Sequence, residues 1–523
     1  QPPRSTRSGS SAASDVYKRQ VYALHAPVQP GPDWPNVGFD FNPVMQRITS
    51  TLTSRCPDLQ FVASMANGPE QAQKILDDDK GAIDGYIVCQ LNCWNRVVQT
   101  MATSGKPTLY VDFQYAGSGG FLAYISGAGT VPGALADVLA SGMNANVGGW
   151  VLSPAATEVE LQLVRWLADR FGLPDTAGGQ FVSGGSLANL TALKLARDHA
   201  DASARAAGVG GRCLAIYASQ ETHLTLDRAA DVLGLGESAV RKIAVDDALA
   251  MRVDELERRI AADVAAGITP AAIVATAGTT GTGAIDPIAE LADVAARTGA
   301  WLHVDAAYGG AIALSDRLRP LLHGIERADS ITFDAHKWLY APLVSAVVLV
   351  RDASALGRSF SASAAYVEQD RSVADRGADL GFEGLQLSRP FTALRVWVSL
   401  LAHGRAAYAR RIEHDVELTT WLAARVDEEP DLELVCPPSL SICCLRFRPE
   451  GVDDEAYLDR LNDRVMTELQ LDGRVYPSNA VVHGRTAIRS CIVGYRTESR
   501  HLEHLLSLTR EIGARVHASG VVT

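Results

Sequence analysis

Two short apolar runs that each deliver charged side chains constrain this chain most. Ala300-Trp-Leu-His-Val304 ends on Asp305, and Ser330-Ile-Thr-Phe333 leads through Asp334 to the neighbours His336 and Lys337. Runs this short, bounded by small residues and alternating with helical spacing, are the pattern of buried parallel strands in an α/β sheet. Ligands in such sheets sit beyond the carboxyl ends of the strands. The expectation is an acid and a lysine side by side at one edge of a mainly parallel sheet.

The 523 residues exceed what one core holds, so two or three domains are expected. A net charge of −12 argues against a nucleic-acid partner, because phosphate backbones are bound by dense Lys and Arg. Strand-like runs such as Ala346-Val-Val-Leu-Val350 fall far short of the roughly 20 residues that cross a bilayer. Eight cysteines do not make a disulfide scaffold. Cys443 and Cys444 adjoin in a strand-like run, and Cys89 and Cys93 lack zinc-knuckle company, so no metal site is expected. Reduced structural thiols point to the cytoplasm.

Residues 1–35 read as a disordered or non-native leader, preferred over an organelle transit peptide, which the Ser- and Arg-rich composition would also suit. Residues 36–117 alternate helical patterns (Val44 to Leu52, Pro69 to Asp78, Asn95 to Ser104) with strand-like runs (Leu59 to Ala63, Gly85 to Cys89, Lys106 to Asp112). That alternation predicts a small flavodoxin-like half-domain. Its run from Gly105 to Gly119 weakly resembles the N-terminal region of fucose/arabinose-isomerase-type proteins. Residues 118–387 alternate Ala-rich helices with short strands and are expected to form the large domain. Residues 388–523 mix long helices with Ser441-Ile-Cys-Cys-Leu-Arg-Phe447 and Ala487-Ile-Arg-Ser-Cys-Ile-Val493, which predicts a small α+β domain.

Four elements of the large domain fall in an order that one cofactor explains. In Gly178-Gly-Gln-Phe-Val-Ser-Gly-Gly-Ser-Leu-Ala-Asn-Leu190 a strand gives way at once to a helix. Glycine lets backbone approach an anion there, and the helix N-terminus binds it, with Gly185 and Ser186 as candidates. Alone, this would be an ordinary turn with Ser186 as N-cap. His223, between a strand and a helix, suits stacking on a planar ring, though a lone loop histidine is more often a cap or exposed. Ala275-Thr-Ala-Gly-Thr-Thr-Gly-Thr-Gly-Ala-Ile-Asp286 offers Thr279 and Thr280 as hydroxyl donors, or is merely a flexible Gly/Thr turn. The fourth element is Asp305 with Lys337; separately they are a helix cap and a surface lysine. Together the four match what pyridoxal 5'-phosphate (PLP) requires: a Schiff-base lysine, an acid that keeps the pyridine nitrogen protonated, and a phosphate cup.

On these motifs, with Phe121-Leu-Ala-Tyr-Ile125, Ser153-Pro-Ala-Ala-Thr-Glu158 and Asp334-Ala-His-Lys-Trp338, residues 118 to about 500 resemble a group II PLP-dependent amino-acid decarboxylase. The resemblance implies the PLP-dependent transferase fold of the aspartate aminotransferase type I class. It implies decarboxylation of an L-amino acid to its amine and CO2, in a homodimer with the active site at the interface. Lys337 is then the Schiff-base lysine, Asp305 the pyridine-nitrogen partner and His223 the stacking base. Gly185, Ser186 and Asp334 surround the phosphate, Ala307 packs under the ring, and His336 lies beside the substrate. Tyr366 is the nearby candidate for protonating Cα, or else a structural tyrosine opening a polar lid from Asp370 to Gly384. Arg389 either anchors a carboxylate or pairs across the dimer.

One departure stands out. The family begins with a helical segment wrapping a partner subunit, and here the half-domain takes its place. The reading preferred is a chimera joined at Gly117-Ser-Gly-Gly120, with a weakened dimer. Within PLP chemistry an aminotransferase or aldehyde-forming variant remains the alternative; outside it, a sugar-linked binding protein with a degenerate PLP fold. The substrate is not readable, since pocket walls come from loops that one sequence does not position.

Overall fold

The computed structural model describes residues 16–24, 26–28, 40–90, 96–112, 119–361 and 378–520, and all structural statements refer to these. The chain divides into two compact units, the first reaching Tyr115 and the second starting at Ala116.

In the first unit β1 (Val16–Ala23), β2 (Leu59–Ala66), β3 (Gly85–Gln90) and β4 (Thr108–Asp112) form a parallel sheet of order β2-β1-β3-β4. This is the strand order of the flavodoxin-like half expected. It corrects the leader, because β1 falls within residues 1–35 and sits inside the sheet. The polar letters of Lys18, Arg19 and Gln20 hide a strand whose Val21, Tyr22 and Ala23 are buried. Arg19 is tolerated there because Nε donates to Asp79 at 2.9 Å.

The second unit is built on seven strands: β5 (Gly178–Val182), β6 (Leu214–Ser219), β7 (Val240–Ile243), β8 (Thr269–Thr276), β9 (Trp301–Asp305), β10 (Ser330–Asp334) and β11 (Ala346–Val350). Their order is β5-β11-β10-β9-β8-β6-β7, and β11 alone runs antiparallel to its neighbours. Strands β9, β10 and β11 are buried throughout, which is why they read as unbroken apolar runs. From the edge strand β5 the chain crosses to β6 on the far side and then fills inward. The helix Gly185–Ala200 makes that crossing and packs against β8, β9, β10 and β11. Its N-terminus therefore lies over the strand ends where the order reverses.

Towards the C-terminus β12 (Leu432–Leu434), β13 (Ile442–Phe447), β14 (Ser478–Val482) and β15 (Arg485–Cys491) form an antiparallel sheet of order β12-β13-β15-β14. Its core joins Leu445 and Phe447 to Leu418 and Leu422 of helix Arg405–Glu428 and to Leu505 of helix Ser499–Ser519. The expected split between residues 118–387 and 388–523 is crossed by packing in both directions. Leu122 donates to Tyr476 at 2.9 Å, accepts from Cys491 at 2.8 Å and belongs to this C-terminal core. Conversely, helix Ala393–His403 packs on helices Val131–Met143 and Pro154–Phe171. Sequence order misplaces such interlaced segments because apolar faces are buried by whichever element is opposite.

Candidate active site

Because β5, β6, β8, β9 and β10 all point the same way, the residues that follow them converge. A cavity of about 260 Å³ is lined from β5 by Gly184, Gly185 and Ser186, and from β6 by His223 and Thr225. The exits of β8 to β10 contribute Thr276, Gly278, Thr280, Asp305, Ala307, Tyr308, Asp334, His336 and Lys337. Every site residue expected from sequence lines it except two. Thr279 is buried instead, its hydroxyl 3.0 Å from that of Thr282 and accepting from the Ala284 amide at 3.1 Å. It closes the Gly/Thr turn that presents Thr280. Tyr366 lies outside the described residues, as does most of the Asp370 to Gly384 segment.

Lys337 stands three residues beyond the last residue of β10. Its Nζ is 3.1 Å from Oδ2 of Asp334, so the ammonium has a counter-charge inside the cavity. The other carboxylate oxygen, Asp334 Oδ1, is buried with no hydrogen-bond partner among the described residues. His336 holds Nδ1 2.9 Å from the Ser345 carbonyl and Nε2 3.8 Å from Asp334. The lysine's own turn is fixed from behind. Trp338 is fully buried, stacked on Tyr308 with ring centroids 5.1 Å apart. A side chain so confined leaves its neighbour little freedom.

Asp305 accepts from Asn189 Nδ2 at 2.9 Å and from the Ala307 amide at 3.1 Å. His223 presents part of its ring to the cavity, with Nδ1 3.0 Å from Thr225 Oγ1. Desolvation against the wall pulls its pKa down, partly opposed by the charge of Asp305, so the imidazole is neutral at neutral pH.

The cavity suits the cofactor implied by sequence. Gly185 and Ser186 open the helix Gly185–Ala200, and first-turn amides have no helical carbonyl to donate to. The N-cap is Gly184 rather than Ser186, and no side chain caps this end. A Cβ on Gly185 would lie 2.8 Å from Asp334 Oδ2, so only glycine leaves the cup open. An anion cup, an amine, an acid and a neutral ring thus share one space. The amine and the acid leave adjacent parallel strands, with Thr332 opposite Asp305 in the ladder.

Arg389 takes neither role foreseen for it. It is 4% exposed, paired with the buried Glu160, and donates to the Phe181 carbonyl at 2.7 Å. It locks helix Pro154–Phe171 to β5. Asn189, His303 and Thr225 were passed over in the sequence. Asn189 carried a usable signal: an amide at the spacing of the buried Ala192, Leu193 and Ala196, where an apolar residue is expected.

Comparison with known proteins adds a second line of support. Residues 98–448 match the pyridoxal-dependent decarboxylase conserved domain, a match that begins ahead of residue 118. An aromatic-L-amino-acid decarboxylase of Bacillus atrophaeus is 34% identical over 399 residues, 76% of this chain and 82% of that protein. The crystal structure of Oryza sativa TDC with PLP and tryptamine is similar with a TM-score of 0.74 at 27% identity, covering 91% of this chain and 98% of the other. That of Rhodiola rosea 4-hydroxyphenylacetaldehyde synthase gives 0.69 at 28% identity, covering 78% and 85%.

Proposed function

The chain belongs to the pyridoxal-dependent decarboxylase family and is a PLP-dependent amino-acid decarboxylase, and we propose that it acts on an aromatic L-amino acid to release the corresponding amine and CO2. The observation that carries the site assignment is the convergence of Lys337 and Asp305 in one cavity at the ends of adjacent parallel strands. The aromatic class is supported by relatives: the Bacillus atrophaeus protein is named for such substrates, and the Oryza sativa structure holds tryptamine.

When bound, PLP supplies an electron sink for the pair left at Cα as CO2 departs. Lys337 Nζ would be the amine that holds it, with Asp334 as its counter-charge in the cavity. Asp305 would accept from the ring nitrogen and keep it protonated, its carboxylate oriented by the Asn189 and Ala307 donors. The neutral His223 would cover one face of the ring, and Ala307 would leave room beneath the other. The Gly185 and Ser186 amides would take the phosphate, and Thr280 lines the same cavity. His336 would lie by the amino-acid substrate, and Tyr366 is the proposed donor of the proton that replaces CO2 at Cα.

We also infer a homodimer with the active site at its interface. On helix Val131–Met143, Val131, Leu135, Val138, Leu139 and Met143 are each more than 60% exposed. A stripe of that kind is what a second copy would cover. Cys89, Cys436, Cys443, Cys444 and Cys491 are buried free thiols, which suits the reducing cytoplasm.

Incubating the PLP-loaded protein with tryptophan, tyrosine, phenylalanine, glutamate and aspartate and measuring CO2 and amine tests the reading. Aromatic amines should form, and Lys337→Ala should lose both activity and the visible absorbance of bound PLP. Preference for an acidic substrate would overturn the aromatic assignment. Aldehyde in place of amine would move the protein to the chemistry of the Rhodiola rosea relative.

A further inference from the structure

Behind the cavity runs a chain of buried hydrogen bonds whose direction is fixed at one point. The Asp305 carboxylate can only accept, so Asn189 must turn its amide nitrogen towards Oδ2, 2.9 Å away. Asn189 Oδ1 then faces Thr332 Oγ1 at 2.7 Å and His303 Nε2 at 3.0 Å, and accepts from both. His303 therefore carries its proton on Nε2. Its Nδ1 lies 2.9 Å from Ser330 Oγ, from which it accepts, and 3.2 Å from the Ser330 carbonyl, the longer contact; Ser330 Oγ in turn accepts from Trp301 Nε1 at 2.7 Å. The second N–H of Asn189 goes to Thr225 Oγ1 at 3.1 Å, leaving the hydroxyl proton for His223 Nδ1 at 3.0 Å. The Thr225 amide also points at that nitrogen, at 3.3 Å. The proton of neutral His223 is thereby placed on Nε2.

We propose that Asn189 is a positioning residue that sets, through one side-chain amide, both the orientation of the Asp305 carboxylate and the tautomer of His223. The inference rests on the PLP reading of this cavity. Asn189 is 2% exposed and lines the cavity, while His303, Ser330 and Thr332 are fully buried behind it, away from water that could replace a lost partner. His303 is the fixed end of the relay: burial drives its pKa down to about 4, and a neutral ring has one donor and one acceptor to offer, both used. Asp305 and His223 would contact the cofactor from two sides, and Asn189 is within hydrogen-bonding distance of the acid and one hydroxyl away from the histidine. Residues of this outer kind tune a bound group by roughly tenfold or more.

Asn189→Asp keeps the shape and replaces both donors with acceptors. The PLP dissociation constant, measured by equilibrium dialysis, should rise about tenfold or more, and kcat should fall while KM for the amino acid stays within about threefold. Thr225→Val breaks only the branch to His223 and should lower kcat, whereas Thr225→Ser restores the hydroxyl and should match wild type. Histidine-selective 15N spectra of the cofactor-free protein should show the proton of His303 on Nε2. If wild type itself fails to bind PLP, the reading of the site falls. If wild type binds PLP and Asn189→Asp equals it in dissociation constant and kcat, the positioning role falls and the site stands. Should Asn189→Asp not fold, the Thr225 pair and the His303 spectrum decide: equal kcat in Val and Ser variants, or a proton on Nδ1, overturns the proposal.

Discussion

Trp338, the residue after Lys337, donates its indole N–H to Oδ2 of Asp415 at 2.9 Å. The same oxygen accepts from Tyr340 Oη at 2.7 Å, and Oδ1 pairs with Arg411 one turn earlier on helix Arg405–Glu428. A single buried carboxylate thus holds the lysine's turn against a long helix. Burial pushes that carboxyl up to about 6, with the charge of Arg411 opposing.

Asp415→Ala should therefore be costly. It leaves the Trp338 and Tyr340 donors buried without an acceptor and Arg411 without its partner, a loss of about 3 kcal/mol or more. Asp415→Asn keeps an acceptor and should cost less, about 1–2 kcal/mol. Urea midpoints measure the difference, and PLP retention on a desalting column should fall in the same order.

Gly185→Ala sets two effects against each other. Alanine gains up to about 1 kcal/mol of helix propensity over glycine. Against this, its Cβ would meet Asp334 Oδ2 at 2.8 Å, an overpacking cost of about 1–3 kcal/mol. The clash should win, with weaker PLP binding as its signature. Gly357→Ala, in helix Ser354–Phe360 with nothing within 4 Å of its Cβ, is the control and should raise the melting temperature.

Arg389→Ala strands the fully buried Glu160 and should cost about 3–5 kcal/mol. The double change Arg389→Met with Glu160→Leu should recover much of it, less the bond from the Phe181 amide to Glu160 at 2.9 Å. KM for the substrate should be unchanged in the folded double variant, because Arg389 is enclosed. A large rise in KM would return Arg389 to the substrate.

His303 gives a pH prediction with a definite sign. Its pKa is about 4 in the fold against 6.5 unfolded, so below pH 6.5 the unfolded chain binds more protons. That contribution to stability is complete above pH 6.5 and is lost as pH falls towards 4. Asp286, pushed up to about 6 by burial, acts oppositely, its contribution being lost as pH rises from about 4 to 6. Denaturation midpoints of His303→Gln against wild type should show a flatter acid limb, and those of Asp286→Asn a steeper one.

Much of this was legible in the chain. β9 and β10 announce themselves because both faces of a central parallel strand are buried, which writes an apolar run that a terminal charge interrupts visibly. β1 was not legible, since Arg19 is half-buried and Gln20 fully buried in it by partners that the local pattern does not show. Thr279 and Thr280 are adjacent and chemically alike. Which one lines the cavity depends on a turn closed by Thr282 and Ala284. Arg389 likewise reads as a free cation until Glu160, 229 residues away, is brought against it.

The sequence by itself determined the chemistry: a lysine, an acid and a glycine-rich helix start, each at the end of a strand. These are local properties, set by residue type and by periodicity over a few positions. The tertiary structure decided which neighbours control that chemistry. Asn189, His303 and Thr225 come from three separate elements, and Asn189 links the other two to Asp305 only because the crossing helix lies over β9 and β10. Hydrogen-bond direction arises from contacts between residues distant in the chain, packed where low polarity makes each partner count.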